Sequence, residues 1–265
     1  MATVKEVYRF LDGKAPFSSQ LGFDNAGFLV GRGERQVSRI LVALDITEQV
    51  AREAAEVQAE LIVSHHPVIW EGAKSVTDET ILGRKLLALV TNGIAAICAH
   101  TNLDAAQGGV NDALAEALGL TDTALLKTYG TYQDGTAFGI ERTGVLPGGP
   151  VSLTEFAAAV KEKLNSNGVR YVDAGRPVRK VAVGGGSCSG SMKDVLAAGC
   201  DTFVTADVKY DGFLDAKAMG LNLIDAGHYP TENVVCPVLV SWLKEGFPEA
   251  EILLSRCHKE VFSYL

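Results

Sequence analysis

The chain has 265 residues, of which 47% are hydrophobic, enough for one large core or two smaller ones. Its formal net charge is −8 and its acidic residues are spread out, so binding to nucleic acid or to an anionic membrane is not expected. The five cysteines form no C-x-x-C pair, which favours reduced thiols in the cytoplasm over a disulfide framework. No apolar run is long enough to span a membrane, and the charged N-terminus is unlike a secretory signal.

Short β-branched segments alternate with alanine-rich helical patterns, which is typical of α/β proteins with largely parallel sheets. In the first half the pattern predicts a helix at 4–12, strands at 26–31 and 39–45, a helix at 47–59, a strand at 60–66, a helix at 78–93, a strand at 94–100 and a helix at 109–119. In the second half it predicts a helix at 152–165, strands at 169–175 and 180–186, a helix at 191–199, a strand at 201–207, a helix at 210–220, a strand at 221–228, a helix at 233–246 and a strand at 251–256.

The repeated order indicates an internal duplication, with a first α/β repeat at 1–125 and a second at 126–265, joined by a linker at about 121–150. Both repeats place a histidine at a strand end and a carboxylate four residues later, in "CAHTNLD" and "AGHYPTE". Ligands of open α/β sheets bind beyond the carboxyl ends of strands. We therefore expect a functional site between the two repeats at these strand ends.

The polar residues predicted to lie there include four of the five histidines, and the set is His65, His66, His100, Asp104, His228 and Glu232. Each alone has an ordinary explanation, since a histidine at a strand end often donates to a carbonyl and a carboxylate there often caps a helix. Their concentration at equivalent places in two repeats favours a joint role. Imidazole and carboxylate ligands without thiolate suit Zn, Fe, Mn, Ni or Co.

The adjacent histidines of "SHHP" would face opposite ways if the strand continued through them. Pro67 ends the strand and keeps His66 extended, so that each imidazole can serve one of two ions. Two metal ions about 3.5–4 Å apart can activate bound water as a nucleophile and hold a phosphoryl or carbonyl oxygen.

The glycine-rich segment "VGGGSCSGS" at 183–191 has three interpretations. It can be a tight turn, a phosphate cradle involving Gly186 and Ser187, or an elbow with Cys188 as a nucleophile served by Asp225 and His228. The turn is preferred and the cysteine nucleophile is the least favoured.

Three further residues are candidates for substrate binding. Asp24 and Asn25 of "FDNAG" can contact a substrate or form an Asx turn. Lys209, beside Tyr210 in "TADVKY", can meet an anion or be a solvated surface lysine.

The motifs "DNAGFLVG", "SHHP", "HTNLD", "GGGS", "TADVKY" and "GHYPTE" together resemble those of the Nif-three-like dinuclear metal centre proteins, often labelled GTP cyclohydrolase I type 2 homologues. The resemblance runs from about residue 4 to the C-terminus. It implies two similar, intertwined α/β repeats with mixed, mostly parallel sheets. It also implies a homohexameric ring with two divalent metal ions per subunit. Matched motif by motif, the implied metal ligands are His65, His66, Asp104, His228 and Glu232. His100 is similar to a family histidine beside the metal centre, which implies that it either supports a ligand or transfers protons, with its neighbour Asp104 orienting it.

This chain departs from the family pattern at three positions. Phe23 stands where the family usually has Trp, and Cys188 lies within the glycine segment. Asp211 stands where the family often has a histidine that is a reasonable proton donor.

The resemblance implies a metal-dependent hydrolase that uses metal-bound hydroxide on a small anionic or nucleotide-like substrate. The alternative is a non-catalytic protein that stores or delivers metal, or serves as a scaffold.

Overall fold

The computed structural model describes residues 2–265 and divides into two compact units. Unit 1 comprises Met1–Leu103 and Cys236–Lys259, and unit 2 comprises Asp104–Val235 and Glu260–Leu265. Residues 236–259, which lie within the predicted second repeat, therefore belong to unit 1. Within residues 2–265, no helix combines the length and the apolar character that a membrane crossing needs.

The strands are β1 (Ala2–Thr3), β2 (Gly27–Val30), β3 (Gln36–Val37), β4 (Arg39–Ala43), β5 (Leu61–Ser64), β6 (Ala95–Cys98), β7 (Thr121–Leu125), β8 (Gly130–Thr131), β9 (Ala137–Phe138), β10 (Arg142–Val145), β11 (Arg170–Val172), β12 (Lys180–Val183), β13 (Thr202–Thr205), β14 (Asn222–Asp225) and β15 (Glu251–Leu254). The α-helices are α1 (Val4–Lys14), α2 (Glu48–Glu56), α3 (Ile81–Thr91), α4 (Thr101–Ala105), α5 (Val110–Leu118), α6 (Leu153–Lys163), α7 (Met192–Ala197), α8 (Tyr210–Ala218), α9 (His228–Glu232) and α10 (Val235–Gly246). Two 3-10 turns lie at Phe17–Ser19 and Ser189–Ser191.

The main sheet of unit 1 has the strand order β15-β4-β5-β6-β2. Strands β15, β4, β5 and β6 are parallel, and β2 runs antiparallel to β6. The ends of β5 and β6 therefore lie at the same edge. The residues that follow them, His65 and His100 among them, are brought together by this topology.

The main sheet of unit 2 has the order β11-β14-β13-β12-β10-β7. Here β12, β13 and β14 are parallel, and β11 runs antiparallel to β14. This repeats the arrangement of β4, β5, β6 and β2, so the two main sheets share a core of three parallel strands and one antiparallel edge strand. The sequence prediction of an α/β fold with mixed sheets is confirmed. The sheet of unit 1 is mostly parallel as predicted, whereas in unit 2 three of the five strand pairings are antiparallel, because β7 and β10 extend the sheet beyond β12.

Both faces of the unit 2 sheet are buried, as expected for strands with nearly continuous apolar sequences. Along β12, Val181 and Val183 pack into one cluster with Ile224, while Ala182 packs on the opposite face with Phe203. The alternation follows the two-residue period of a strand. The strands are thereby held rigidly, and the loops that follow them start from fixed points.

The helices that begin each repeat have the same N-terminal motif. Thr3 and Glu6 form a capping box on α1, and Ser152 and Glu155 form one on α6. In each box the hydroxyl accepts from the backbone N–H of the glutamate, whose carboxylate accepts from the cap residue's N–H. This local match agrees with the duplication inferred from the sequence.

Candidate metal centre

The chain bends at the end of β5, in the "SHHP" segment. The strand ends at Ser64, and the backbone N–H groups of His65 and His66 both donate to the carbonyl oxygen of Leu44, at 3.1 and 2.9 Å. The Ser64 hydroxyl donates to the carbonyl of His66 at 3.0 Å. Since the extended strand has ended, the two rings need not face opposite sides, and their centroids lie 4.8 Å apart.

The three histidines at this edge of unit 1 all have Nδ1 beside an oxygen acceptor. His65 Nδ1 lies 2.9 Å from the carbonyl of Ala99, and His66 Nδ1 lies 2.8 Å from Asp45 Oδ1. His100 Nδ1 lies 2.9 Å from Asp24 Oδ1. A neutral imidazole that donates through Nδ1 presents the Nε2 lone pair, the usual arrangement of metal-binding histidines. One potential ligand atom from each of the three histidines lies within 4.8 Å of the others.

Asp24 is a structural partner of His100. Its side chain is fully buried, and besides His100 it accepts from the backbone N–H of Thr101 at 3.0 Å and from the Thr101 hydroxyl. Burial raises the pKa of the Asp24 carboxyl, but the hydrogen bonds from His100 and Thr101 outweigh it and bring the pKa to about 2. The sequence assigned the orientation of His100 to Asp104, whereas in the structure Asp24 holds its Nδ1.

Asp45 joins His66 to the C-terminal segment of unit 1. Its Oδ1 contacts His66 Nδ1 and its Oδ2 contacts His258 Nε2, each at 2.8 Å. Burial raises the pKa of this carboxyl, but hydrogen bonds and charge from the two histidines hold it well below its ordinary range. His258, the one histidine outside the set predicted from the sequence, thus contacts the same carboxylate as the predicted ligand His66.

In unit 2, His228 and Glu232 occupy the first and last positions of α9, so their i, i+4 spacing puts them on one helix face. His228 Nε2 lies 3.0 Å from Glu232 Oε2, and His228 Nδ1 lies 2.6 Å from Asp207 Oδ2. Burial lowers the pKa of His228, but Glu232 and then Asp207 raise it to about 9. The unit 2 histidine therefore also has a carboxylate at Nδ1, while Nε2 faces a carboxylate that could share a metal ion.

The glycine segment lies against this pair. A Cβ on Gly186 would come within 2.2 Å of Glu232 Oε1 and 3.1 Å of His228 Nε2. Three backbone N–H groups of this loop have protein acceptors: Gly185 donates to Asn111 Oδ1, Gly186 to Thr231 Oγ1 and Cys188 to Thr205 Oγ1. These N–H groups are thus committed within the protein, which favours the tight-turn interpretation over a phosphate cradle.

Asp104 lies on α4 and is buried. Asn111 fixes its backbone to the glycine segment, because Asn111 Nδ2 donates to the carbonyl of Asp104 at 3.2 Å while its Oδ1 accepts from Gly185 at 2.8 Å. Within unit 2, Asp104 is therefore connected through Asn111 to the same loop that borders His228 and Glu232.

Comparison with known proteins identifies the family. The family model of Duf34/NIF3 (NGG1p interacting factor 3) matches residues 2–260. The chain belongs to this family. Two relatives named "GTP cyclohydrolase 1 type 2 homolog" are similar to it over most of their length. The one from Clostridium perfringens is 33% identical, covering 99% of each chain, and the one from Streptomyces coelicolor is 36% identical, covering 92% of this chain and 87% of the relative.

A solved structure, of a Bacillus cereus protein related to NIF3, has a TM-score of 0.93 and 25% identity, covering 100% of this chain and 99% of the other. The family resemblance inferred from the motifs and the NIF3-type fold are thereby confirmed.

The remaining residues predicted at the site of this NIF3-family chain have diverse surroundings. Asn25 is exposed, and its Nδ2 donates to the carbonyl of Ile69 at 2.7 Å. Ser187 is exposed on the glycine loop, and Lys209 and Tyr210 are exposed at the start of α8. A role of Asn25, Ser187 and Lys209 in substrate binding stays a prediction.

The cysteine nucleophile is disfavoured by its environment. Burial first, and then the charges of Glu141, Asp104 and Glu232, raise the pKa of the Cys188 thiol well above its ordinary value. A nucleophilic cysteine needs a lowered pKa. Because its pKa is raised, the Cys188 thiol stays neutral and is a poor nucleophile.

Sequence reasoning missed Asp45, Asp207 and His258. The signal for the two aspartates was present, since each follows a parallel strand, Asp45 after β4 and Asp207 after β13. The same argument that selected Asp104 applies to them. His258 had no such signal, because its partner Asp45 lies 213 residues away.

Proposed function

We propose that this NIF3-family protein binds two divalent metal ions per chain and is a metal-dependent hydrolase of a small anionic or nucleotide-like substrate. The proposed ligands are His65, His66, Asp104, His228 and Glu232. The observation that carries the proposal is the state of the histidines: His65, His66 and His228, like His100, have Nδ1 beside an oxygen acceptor. This is the support expected around metal-binding imidazoles.

The donor set also fits a divalent transition metal by its chemistry. It consists of imidazole nitrogens and carboxylate oxygens, and no cysteine belongs to it. Gly186 leaves room beside Glu232 that any larger residue would fill. The native ion is proposed to be Zn, Fe, Mn, Ni or Co, since each accepts such ligands.

When bound, the ions would supply Lewis-acid activation of water and of a substrate oxygen. The chain's own contribution is to hold the ligands and to move protons. His100 is the proposed proton relay, because Asp24 fixes its Nδ1 and so orients Nε2 for exchange. Asp45 and Asp207 accept from Nδ1 of His66 and His228 and so orient both rings; His228, with a pKa of about 9, would release its Nε2 proton when an ion binds there.

Metal binding is tested by elemental analysis and calorimetry on the apo-protein reloaded with Zn²⁺, Mn²⁺ or Ni²⁺. His65→Ala and Glu232→Ala should each lower the metal content, while Glu162→Ala, an exposed glutamate on α6, should not. Metal content well under one ion per chain in the unchanged protein would refute the metal site.

Hydrolysis is tested by screening the reloaded protein against nucleotides, phosphoesters and cyclic amides. Activity that disappears in His65→Ala and Glu232→Ala supports the hydrolase. Activity that persists in both variants refutes a dinuclear hydrolase. Stoichiometric metal binding without turnover of any compound would support the alternative, a non-catalytic protein that stores or delivers metal or serves as a scaffold.

We also propose that the chain assembles as a homohexamer in the cytoplasm. The family resemblance supports the hexamer, and the five widely spaced cysteines, with no C-x-x-C pair, suit a reducing compartment. Size-exclusion chromatography with light scattering tests the assembly, and a mass other than six chains would refute it.

A further inference from the structure

Two large aromatic side chains of unit 1 stand open to solvent. Phe23 is 67% exposed and Trp70 is 50% exposed, and their ring centroids lie 6.4 Å apart with the planes tilted by 43°. We call this pair the aromatic ledge. Single exposed hydrophobic residues are common, but two neighbouring exposed aromatic rings form a surface suited to a ligand.

The ledge is held in place by polar contacts on both of its loops. Asn25, two residues after Phe23, donates through Nδ2 to the carbonyl of Ile69, the residue before Trp70, at 2.7 Å. Asp24 lies between Phe23 and Asn25, and its carboxylate accepts a hydrogen bond from the backbone N–H of Thr101 at 3.0 Å. The two rings are therefore presented on loops tied to each other, so little conformational entropy would be lost on binding a ligand.

The ledge continues directly into the histidine set. The ring of Trp70 lies edge-on to that of His100, with centroids 5.2 Å apart, and His100 lies 5.1 Å from His65. A group resting on Trp70 would thus lie beside the proposed proton relay. The ledge belongs to the same end of unit 1 as the predicted ligands.

We propose that the aromatic ledge binds the planar heterocyclic ring of the substrate by stacking. This deepens the proposed function and rests on it, because the ledge adjoins the histidines assigned to the metal ions and the proton relay. An aromatic face attracts a flat ring through offset or edge-on packing, and such stacking tolerates different bases. Among small anionic compounds, the ledge therefore favours those that carry a ring, such as a purine nucleotide, over sugar phosphates.

The chain allows a direct optical test, since it has two tryptophans, Trp70 and Trp242. Trp242→Phe leaves Trp70 as the single tryptophan reporter; Trp242 lies on α10, where Lys14 Nζ is 5.9 Å from the centroid of its ring. The probes are GMP and ribose 5-phosphate, which share a phosphate and a ribose but differ in the base. Quenching of Trp70 by GMP, and by ribose 5-phosphate only at far higher concentration, is the expected result.

Calorimetry with GMP on the full-length protein checks the assignment to individual rings. Trp70→Ala and Phe23→Ala should each raise the Kd about tenfold or more, since stacking on an aromatic residue has this order of effect. Phe23→Trp, which keeps a flat ring, should preserve binding. Equal binding of both probes, or an unchanged Kd in Trp70→Ala and Phe23→Ala, would overturn the proposal.

Two controls separate this proposal from others. Light scattering of Trp70→Ala and Phe23→Ala should give the mass of the unchanged protein, and a lower mass would show that the ledge is a contact between chains, which overturns the proposal. Metal content is measured on the same variants. Normal metal content with lost GMP binding is the expected result, whereas a failure of the dinuclear site itself would appear as low metal content in the unchanged protein.

Discussion

Gly186→Ala is expected to damage the unit 2 ligand pair without replacing a ligand. Gly186 is buried and has φ of +62°, in the left-handed region that favours glycine. An alanine Cβ there would lie 2.2 Å from Glu232 Oε1 and 3.1 Å from His228 Nε2. Carbon and oxygen do not approach to 2.2 Å without a bond, so the Glu232 carboxylate must move.

Two contributions to the loss of stability in Gly186→Ala can be separated by substituting a second glycine. Gly199 has φ of +75°, and a Cβ on it would meet nothing within 4 Å. Gly199→Ala therefore carries only the backbone cost of a left-handed alanine, about 1–2 kcal/mol. Gly186→Ala carries the same cost plus about 1–3 kcal/mol for forcing apart packed groups. Displacing a supporting contact of a metal ligand lowers affinity by roughly 10- to 100-fold.

The assays are urea denaturation of the apo-protein and competition for Zn²⁺ against a chromophoric chelator. Both variants should be less stable than the unchanged protein, with Gly186→Ala the less stable of the two. Gly186→Ala alone should bind Zn²⁺ more weakly. Equal Zn²⁺ affinity in Gly186→Ala and Gly199→Ala would refute the inference that Gly186 makes space for Glu232.

Three further substitutions test the support of the site. Asp24→Asn should cost about 2 kcal/mol of stability at pH 7, because the pKa of the Asp24 carboxyl is about 2 in the folded chain and about 3.9 in the unfolded chain. This stabilisation should disappear as the pH falls from about 4 to about 2. Urea denaturation measures it, and a stability difference between the two proteins that does not change with pH would contradict the prediction. Asp45→Asn should weaken Zn²⁺ binding roughly 10-fold or more in chelator competition, since it loosens both His66 and His258; unchanged affinity would show that neither contact matters for metal binding. Cys188→Ser should keep any hydrolytic activity found in the screen, whereas loss of that activity with normal metal content would favour the cysteine nucleophile.

Most of the main sheet strands were predictable because their apolar runs are bounded by glycine, aspartate or histidine. The alternation of Val181, Ala182 and Val183 between two faces is a consequence of strand geometry alone. The short helices α4 and α9 were not predicted. With five residues each, they are too short to show a helical period. Strands β7 and β10 lie in the predicted linker, for which the sequence analysis predicted no strand.

The sequence pointed to the predicted metal ligands by residue type and position, since histidine and carboxylate recur at strand ends in both halves. It did not show which carboxylate supports which histidine. Asp24 was selected as a substrate contact, yet its buried side chain orients His100. Gly186 was selected for phosphate, yet its N–H donates to Thr231 and its missing side chain makes room for Glu232.

What the sequence determined by itself is local: the order of strands and helices, the capping boxes, and the histidines and carboxylates placed at strand ends. The tertiary structure decided the pairings among distant residues. His100 is 76 residues from Asp24, and His258 is 213 residues from Asp45. Strand β15 pairs with β4, more than two hundred residues earlier in the chain. Such contacts depend on which strands are neighbours in the sheet. The alternation of residues along a single strand does not encode that order.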